Sequence, residues 1–141
     1  MTINEIQEEI ISDFSILDDW AERYTYLIDT AKQLPKIETK YKLDENLITG
    51  CQSKVWLHAE LRGDELYFSA ESDAILTSGI IGLLLRVFNM QKPMDIISSD
   101  LFFLEKIKLR EHLSPTRANG LLSMVKQIKL YALGHQTRLE H

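Results

Sequence analysis

The hydrophobic period changes from helical to alternating in the middle of the chain, and this change restricts the fold more than any other feature. Within residues 54–62, Val55, Leu57, Ala59 and Leu61 point to one face and polar or aromatic side chains to the other. Such alternation is typical of a half-buried strand. Because helical patterns precede and follow it, we predict an α+β domain whose helices cover a small antiparallel sheet.

A hairpin and a third strand complete the predicted sheet. Gly63-Asp64 is a two-residue turn signal with glycine first, which suits a type II′ turn. Residues 66–70 alternate again and form the returning strand. We expect a third strand over residues 47–49, so that the sheet has three antiparallel strands.

Helical signals flank this sheet on both sides. Thr2 and Glu5 have the spacing of a capping box at the start of the first helix. A second helix is predicted from about residue 18 to residue 34, where a proline follows. Residues 74–90 are apolar on nearly every side, which is typical of a central buried helix.

The central helix carries two features that need a structural reason. Ser72 or Asp73 is predicted to cap it. Gly79 and Gly82 lie inside it, at a cost of about 1 kcal/mol each relative to alanine. We expect these glycines to permit close packing of the helix against the hairpin.

Two further helices end the chain. A short one is predicted over residues 101–109, and the last begins with Ser114 as N-cap and Pro115 at the first helical position. Gly134 is expected beyond its end. With no linker or repeat along the chain, we predict one domain over residues 1–138.

Composition narrows the functional classes. The 141 residues include 16 basic and 21 acidic ones, a net charge of -5, which does not favour nucleic-acid binding. The chain has neither a signal-peptide pattern nor an apolar run long enough for a membrane, so we expect a cytoplasmic protein without membrane contact. Leu139-Glu140-His141 resembles the start of a vector-derived tag, and we assign it no function.

The single cysteine is the main candidate for chemistry. One thiol cannot form an intramolecular disulfide, a cysteine-based zinc site or the thiolate set of an iron–sulfur cluster. Cys51 lies in Gly50-Cys51-Gln52-Ser53, at a loop tip or strand edge. Lys54 and the N–H groups of the two residues after Cys51 are candidates for stabilising a thiolate. A buried, inert cysteine remains the alternative.

No partner for a self-sufficient cysteine enzyme is evident. His58, His112 and His135 are each more typical of structural positions than of a general base. No cluster of histidine, aspartate and glutamate has the spacing of metal ligands. Arg117 lies in the first turn of the last helix, where the helix dipole disfavours a cation, and this indicates an anion or a partner carboxylate.

Three strings resemble the SufE family, the sulfur-acceptor partners of cysteine desulfurases. They are Gly-Cys-Gln-Ser-Lys-Val-Trp-Leu at 50–57, Ser-Asp-Ala at 72–74 and Leu-Ser-Pro-Thr-Arg-Ala-Asn-Gly-Leu at 113–121. The resemblance extends over nearly the whole chain, in order. It implies the SufE/IscU-like fold, which agrees with the α+β prediction.

The resemblance also implies a function. A SufS-like desulfurase that uses pyridoxal phosphate would transfer sulfur to Cys51, and a SufB-like scaffold would receive it. Gly50, Gln52 and Ser53 would support the acceptor loop. Asp73 and Arg117 match positions near that loop or on the partner-facing surface. The chain itself would need neither a cofactor nor a metal.

Three alternatives belong to other classes. A cluster scaffold shares this fold but needs at least three ligands, whereas Cys51 is the only thiol. A structural adaptor of a desulfurase complex would keep Cys51 inert. A freestanding thiol enzyme, such as a peroxidase or hydrolase, would be active without any partner.

Overall fold

The computed structural model describes residues 1–139, which form helices around a two-stranded antiparallel sheet. The helices are α1 (Ile3–Ser15), α2 (Trp20–Lys32), α3 (Ile75–Phe88), α4 (Pro93–Ile97), α5 (Phe103–Lys106) and α6 (Pro115–Leu139). Between α2 and α3 lie the strands β1 (Val55–Arg62) and β2 (Glu65–Ser72). The α+β prediction is therefore confirmed. Of the predicted tag, Leu139 ends α6, and Glu140 and His141 lie outside the described residues.

The predicted hairpin is present in the expected register. β1 and β2 pair from Val55 opposite Ser72 to Arg62 opposite Glu65. Gly63, the first turn residue, has φ +64°, as a type II′ turn requires. The turn thus ends β1 and starts β2 with two connecting residues.

The prediction of a third strand at residues 47–49 is wrong. Leu47 forms only an isolated antiparallel bridge with Trp56, and the Ile48 N–H donates to the Val55 carbonyl at 2.8 Å. A 3-10 turn occupies Asp44–Asn46 just before this contact. Gly50, at φ +95°, turns the chain away just after it. Pairing is therefore cut short on both sides.

The first two helices begin close to their predicted positions. Thr2 caps α1, and its hydroxyl and the Glu5 carboxylate form both bonds of the capping box, at 3.1 and 2.9 Å. For α2, the Asp19 carboxylate accepts the Glu22 N–H at 2.9 Å. Both caps satisfy backbone N–H groups that have no partner within the helix.

α3 is the central helix, as predicted, but its glycines face α2 rather than the hairpin. A Cβ on Gly79 would lie 2.3 Å from the carbonyl oxygen of Leu27, and one on Gly82 would lie 2.9 Å from Cγ2 of Thr30. Both α2 residues belong to the face that contacts α3. The two glycines therefore allow the backbones of α2 and α3 to approach closely.

The C-terminal helices differ from the predictions at their ends. Pro93 starts the short helix α4, which we did not predict. The predicted 101–109 helix is reduced to α5. Gly134 was expected beyond the end of α6, but the helix continues through it to Leu139. Ile128 and Ala132 remain buried along the inner face of α6, and their burial offsets the free-energy cost of a glycine within a helix.

The core lies between α3 and the inner face of the hairpin. Val55, Leu57 and Ala70 of the sheet are fully buried there, together with Leu84 of α3. Burial of these apolar side chains is the main favourable contribution to folding. No helix within residues 1–139 combines the length and the apolarity needed to cross a membrane.

Candidate functional site

Cys51 lies in the loop that enters β1, after a glycine that the backbone requires. Gly50 has φ +95°, a conformation that L-residues with side chains rarely adopt. A Cβ at Gly50 would also lie 2.5 Å from Oγ of Ser123 on α6. The loop therefore passes close to α6 and brings Cys51 against that helix.

The sulfur of Cys51 is half-buried and hydrogen-bonded. Its thiol donates to the carbonyl oxygen of Gly120 in α6, with Sγ 3.6 Å from the oxygen. Burial raises the pKa of the Cys51 thiol above its ordinary value. The expected stabilisation of a thiolate by Lys54 is not found in this conformation, because burial is the one cause of the shift in the Cys51 pKa.

A cavity of about 40 Å³ adjoins the sulfur. Its most buried lining residues come from α3 and α6, and its more exposed ones from the cysteine loop and the start of α6. The former are Thr77, Ile80, Gly120 and Met124, and the latter are Gln52, Ser53, Thr116 and Arg117. This volume is far below the roughly 300 Å³ of the smallest usual ligand pockets.

Arg117 lies at this cavity, on the first turn of α6. Its backbone N–H donates to Oγ of Ser114 at 3.3 Å, which confirms Ser114 as the cap. The guanidinium group is exposed and forms no ion pair or hydrogen bond within residues 1–139. Arg117 thus places an exposed positive charge at the cavity that Cys51 also lines.

Asp73 supports the loop from outside the cavity. Its carboxylate accepts the Lys54 N–H at 3.1 Å, and its own N–H donates to the Lys54 carbonyl at 3.3 Å. The prediction that Ser72 or Asp73 caps α3 is wrong, because the N-cap is Ala74. Asp73 instead joins the end of the cysteine loop to the end of β2.

The histidines have structural surroundings and do not line the cavity. The ring of His58 stacks on Tyr41 at 3.6 Å, and that of His112 stacks on Trp20 at 3.7 Å. Burial lowers the pKa of His58 and of His135. Within residues 1–139, the structure thus brings no histidine into the group of residues around Cys51.

Metal ligation has no evident site in the described part of the chain. Residues 1–139 contain no group of three or more histidine, cysteine, aspartate or glutamate side chains placed to hold a metal ion.

Three residues that line the cavity were not predicted as site residues: Thr77, Ile80 and Met124. All three lie on helices, at least 25 positions from Cys51 along the chain, and only the packing of α3 and α6 against the loop brings them to the cavity that Cys51 lines. One sequence signal could have pointed to Thr77, since it is a polar residue near the start of a mostly apolar helix.

A comparison with family models identifies the family of the chain. A family model, SufE (Fe-S metabolism associated domain), matches residues 8–132. The chain belongs to the SufE family. Membership associates it with iron–sulfur metabolism, and the matched range contains the positions of Cys51, Asp73 and Arg117.

Individual relatives agree with this assignment. The chain is 41% identical over 132 residues to an uncharacterized SufE-like protein of Rhizobium meliloti, covering 90% of this chain and 94% of that protein. It is 39% identical over 127 residues to an uncharacterized SufE-like protein of Rhizobium etli, covering 86% of each.

A solved structure shares the SufE fold of this chain. The solution structure of a hypothetical protein from Thermus thermophilus matches with a TM-score of 0.79 at 19% identity. The match covers 94% of this chain and 96% of the other.

Proposed function

We propose that this SufE-family protein is a sulfur carrier. Cys51 accepts sulfane sulfur as a persulfide from a SufS-like cysteine desulfurase, stimulates that enzyme, and passes the sulfur to a SufB-like assembly scaffold. The observation that carries this proposal is the position of Cys51. This thiol lies in a loop, and its sulfur adjoins a cavity of about 40 Å³. A site of that size suits one transferred atom better than a metabolite.

The proposed transfer is a thiol exchange without net oxidation. Sγ of Cys51 loses its proton to solvent and attacks the terminal sulfur of the partner's persulfide. The partner's sulfur–sulfur bond breaks, and its electron pair leaves with the partner's cysteine sulfur as a thiolate. A new bond forms between Sγ and the transferred sulfur. Pyridoxal phosphate acts in the desulfurase, so the carrier needs no cofactor.

The half-buried thiol supports two positions of Cys51. In the inward position burial raises the pKa of the Cys51 thiol, which makes it a poor nucleophile. We propose that docking on a partner moves Cys51 outward for the reaction and that the cavity shields the persulfide between partners. Such a change needs only a loop with two accessible conformations and a partner that binds one of them.

The exposed side of the site supports partner binding. Arg117 has a charge without a counterion within residues 1–139, and it lies at the same cavity as Cys51. We propose that it meets a carboxylate or a developing thiolate of the desulfurase during docking. A reducing cytoplasm, where thiols persist, is the compartment that we propose for this relay.

Desulfurase turnover tests the proposal. The wild type is expected to increase alanine formation from L-cysteine by a SufS-like enzyme, and Cys51→Ser is expected to lose this stimulation. Equal stimulation by both proteins would contradict the carrier and favour a structural adaptor. Consumption of L-cysteine by the chain alone would instead indicate a freestanding enzyme.

A further inference from the structure

Thr77 is a buried polar residue that the transfer chemistry above does not use. It lies in the first turn of α3, is 6% exposed, and lines the same cavity as Cys51. Within residues 1–139 its hydroxyl has no hydrogen-bond partner. The side chain is largely buried, but its hydroxyl oxygen is not fully enclosed, so it is available to an occupant of the cavity.

The start of α3 places partial positive charge close to Thr77, which offsets part of the cost of burying an anion there. The cap of α3 is Ala74, which has no polar side chain to accept the first N–H groups of the helix. These groups and the helix dipole place partial positive charge at this end of α3. Ile80 and Met124 supply apolar walls. In such surroundings a hydrogen bond to an anion is stronger than it is in water.

A persulfide changes the hydrogen bonding at Cys51. The thiol now donates to the Gly120 carbonyl, but Sγ in a persulfide is bonded to the second sulfur and has no proton. A persulfide is also a stronger acid than its thiol, so its terminal sulfur becomes an anion more readily. This sulfur needs a donor, and Thr77 has an unused one in the cavity.

Resting on the proposed function, we infer that the Thr77 hydroxyl donates a hydrogen bond to the terminal sulfur of the Cys51 persulfide and holds it in the cavity. Thr77 is thus a sulfur-binding residue that prolongs the lifetime of the persulfide between partners. Thr77→Val removes the hydroxyl and keeps the side-chain shape, whereas Thr77→Ser keeps the hydroxyl. Ser78→Ala is the matched control, because the Ser78 hydroxyl donates to Ala74 within the helix.

The test loads the full chain with inorganic polysulfide, so that it does not depend on a desulfurase. Cys51 attacks the polysulfide, retains one sulfur and displaces the shortened polysulfide. Intact mass then follows sulfur loss to dithiothreitol, and near-ultraviolet absorption against pH gives the pKa of the persulfide. Thr77→Val is expected to lose sulfur about fivefold faster, because one ordinary hydrogen bond contributes about 1 kcal/mol. The same substitution is expected to raise the pKa of the persulfide, because its anion loses a hydrogen-bond donor.

Thr77→Ser and Ser78→Ala are expected to behave as the wild type in both measurements. The inference is overturned if Thr77→Val leaves either quantity unchanged, if Thr77→Ser behaves as Thr77→Val, or if the wild type holds no persulfide. Loading of the wild type by polysulfide but not by a desulfurase with L-cysteine would contradict the proposed function alone. The two failures are therefore distinguishable.

Discussion

The thiol of Cys51 donates a hydrogen bond to the carbonyl oxygen of Gly120, 69 residues further along the chain, across 3.6 Å. This contact ties the cysteine loop to α6 and keeps the sulfur beside its cavity. Sulfur is a weak hydrogen-bond donor, so the contact opposes outward movement of Cys51 only slightly. Two further features restrain the cysteine loop, namely the backbone conformation of Gly50 and the hydrogen bond of Asp73, and each can be tested by substitution.

The first restraint is the left-handed backbone at Gly50. Gly50→Ala is expected to lower the free energy of unfolding by about 1–2 kcal/mol through backbone strain, and further through contact with Ser123. Gly63→Ala is the control, because Gly63 also has positive φ but a Cβ there would meet no atom within 4 Å. Urea unfolding should show a larger decrease in the free energy of unfolding for Gly50→Ala than for Gly63→Ala. The double variant Gly50→Ala/Ser123→Ala should recover the difference, and equal losses for the two glycines would contradict the steric contribution.

The second restraint is the bond between the Asp73 carboxylate and the Lys54 N–H. Asp73→Ala removes the acceptor, so the loop should open more often and Cys51 should react several-fold faster with iodoacetamide. Asp73→Asn keeps an acceptor oxygen and is expected to stay near the wild-type rate. Alkylation at fixed pH, followed by intact mass, measures both. Identical rates for Asp73→Ala and the wild type would show that Asp73 does not restrain the loop.

Burial of the thiol predicts a pH dependence. The pKa of Cys51 is raised in the folded chain, so half-maximal alkylation should occur at a higher pH than in urea, where a thiol has a pKa of about 8.5. Because the folded state retains the proton longer, this contribution to stability is present below the pKa of the unfolded thiol. It is lost as pH rises through the pKa of the folded thiol. Cys51→Ser should lack this alkaline loss, and coincident alkylation curves for folded and unfolded chains would contradict the effect of burial.

Arg117 is expected to affect the encounter with the desulfurase rather than the fold. Arg117→Ala should leave the unfolding free energy unchanged, because the side chain is exposed and makes no bond within residues 1–139. The concentration of carrier that half-saturates desulfurase stimulation should rise about three- to tenfold, and the effect should shrink at high salt. Lys126→Ala, an exposed cation further along α6, is the control. Equal responses of the two variants would assign the effect to net charge alone.

The sequence alone predicts the elements that depend on local patterns. The hairpin from Val55 to Ser72, the Thr2 capping box and the Ser114 cap follow from alternation, turn chemistry and spacing over a few residues. The prediction of a third strand was wrong because the short apolar segment shows no local sign of the 3-10 turn before it. Nor does it show that Gly50 after it adopts a left-handed backbone conformation.

The candidate site was only partly predictable for the same reason. Cys51 and its neighbours are adjacent in sequence, and the resemblance added Asp73 and Arg117. Thr77 lines the same cavity as Cys51 only because α3 packs beside α6, a contact between distant segments that periodicity does not encode. Gly79 and Gly82 show the same limit, since the sequence indicated close packing but not that α2 is the partner.

The most direct measurement of sulfur carriage is the intact mass of the chain after incubation with a SufS-like desulfurase and L-cysteine. The proposed function predicts that the wild type gains the mass of one sulfur atom, that dithiothreitol removes it, and that Cys51→Ser gains none. A wild type whose mass does not change, under conditions in which the desulfurase releases alanine, would contradict the proposal that Cys51 carries sulfur.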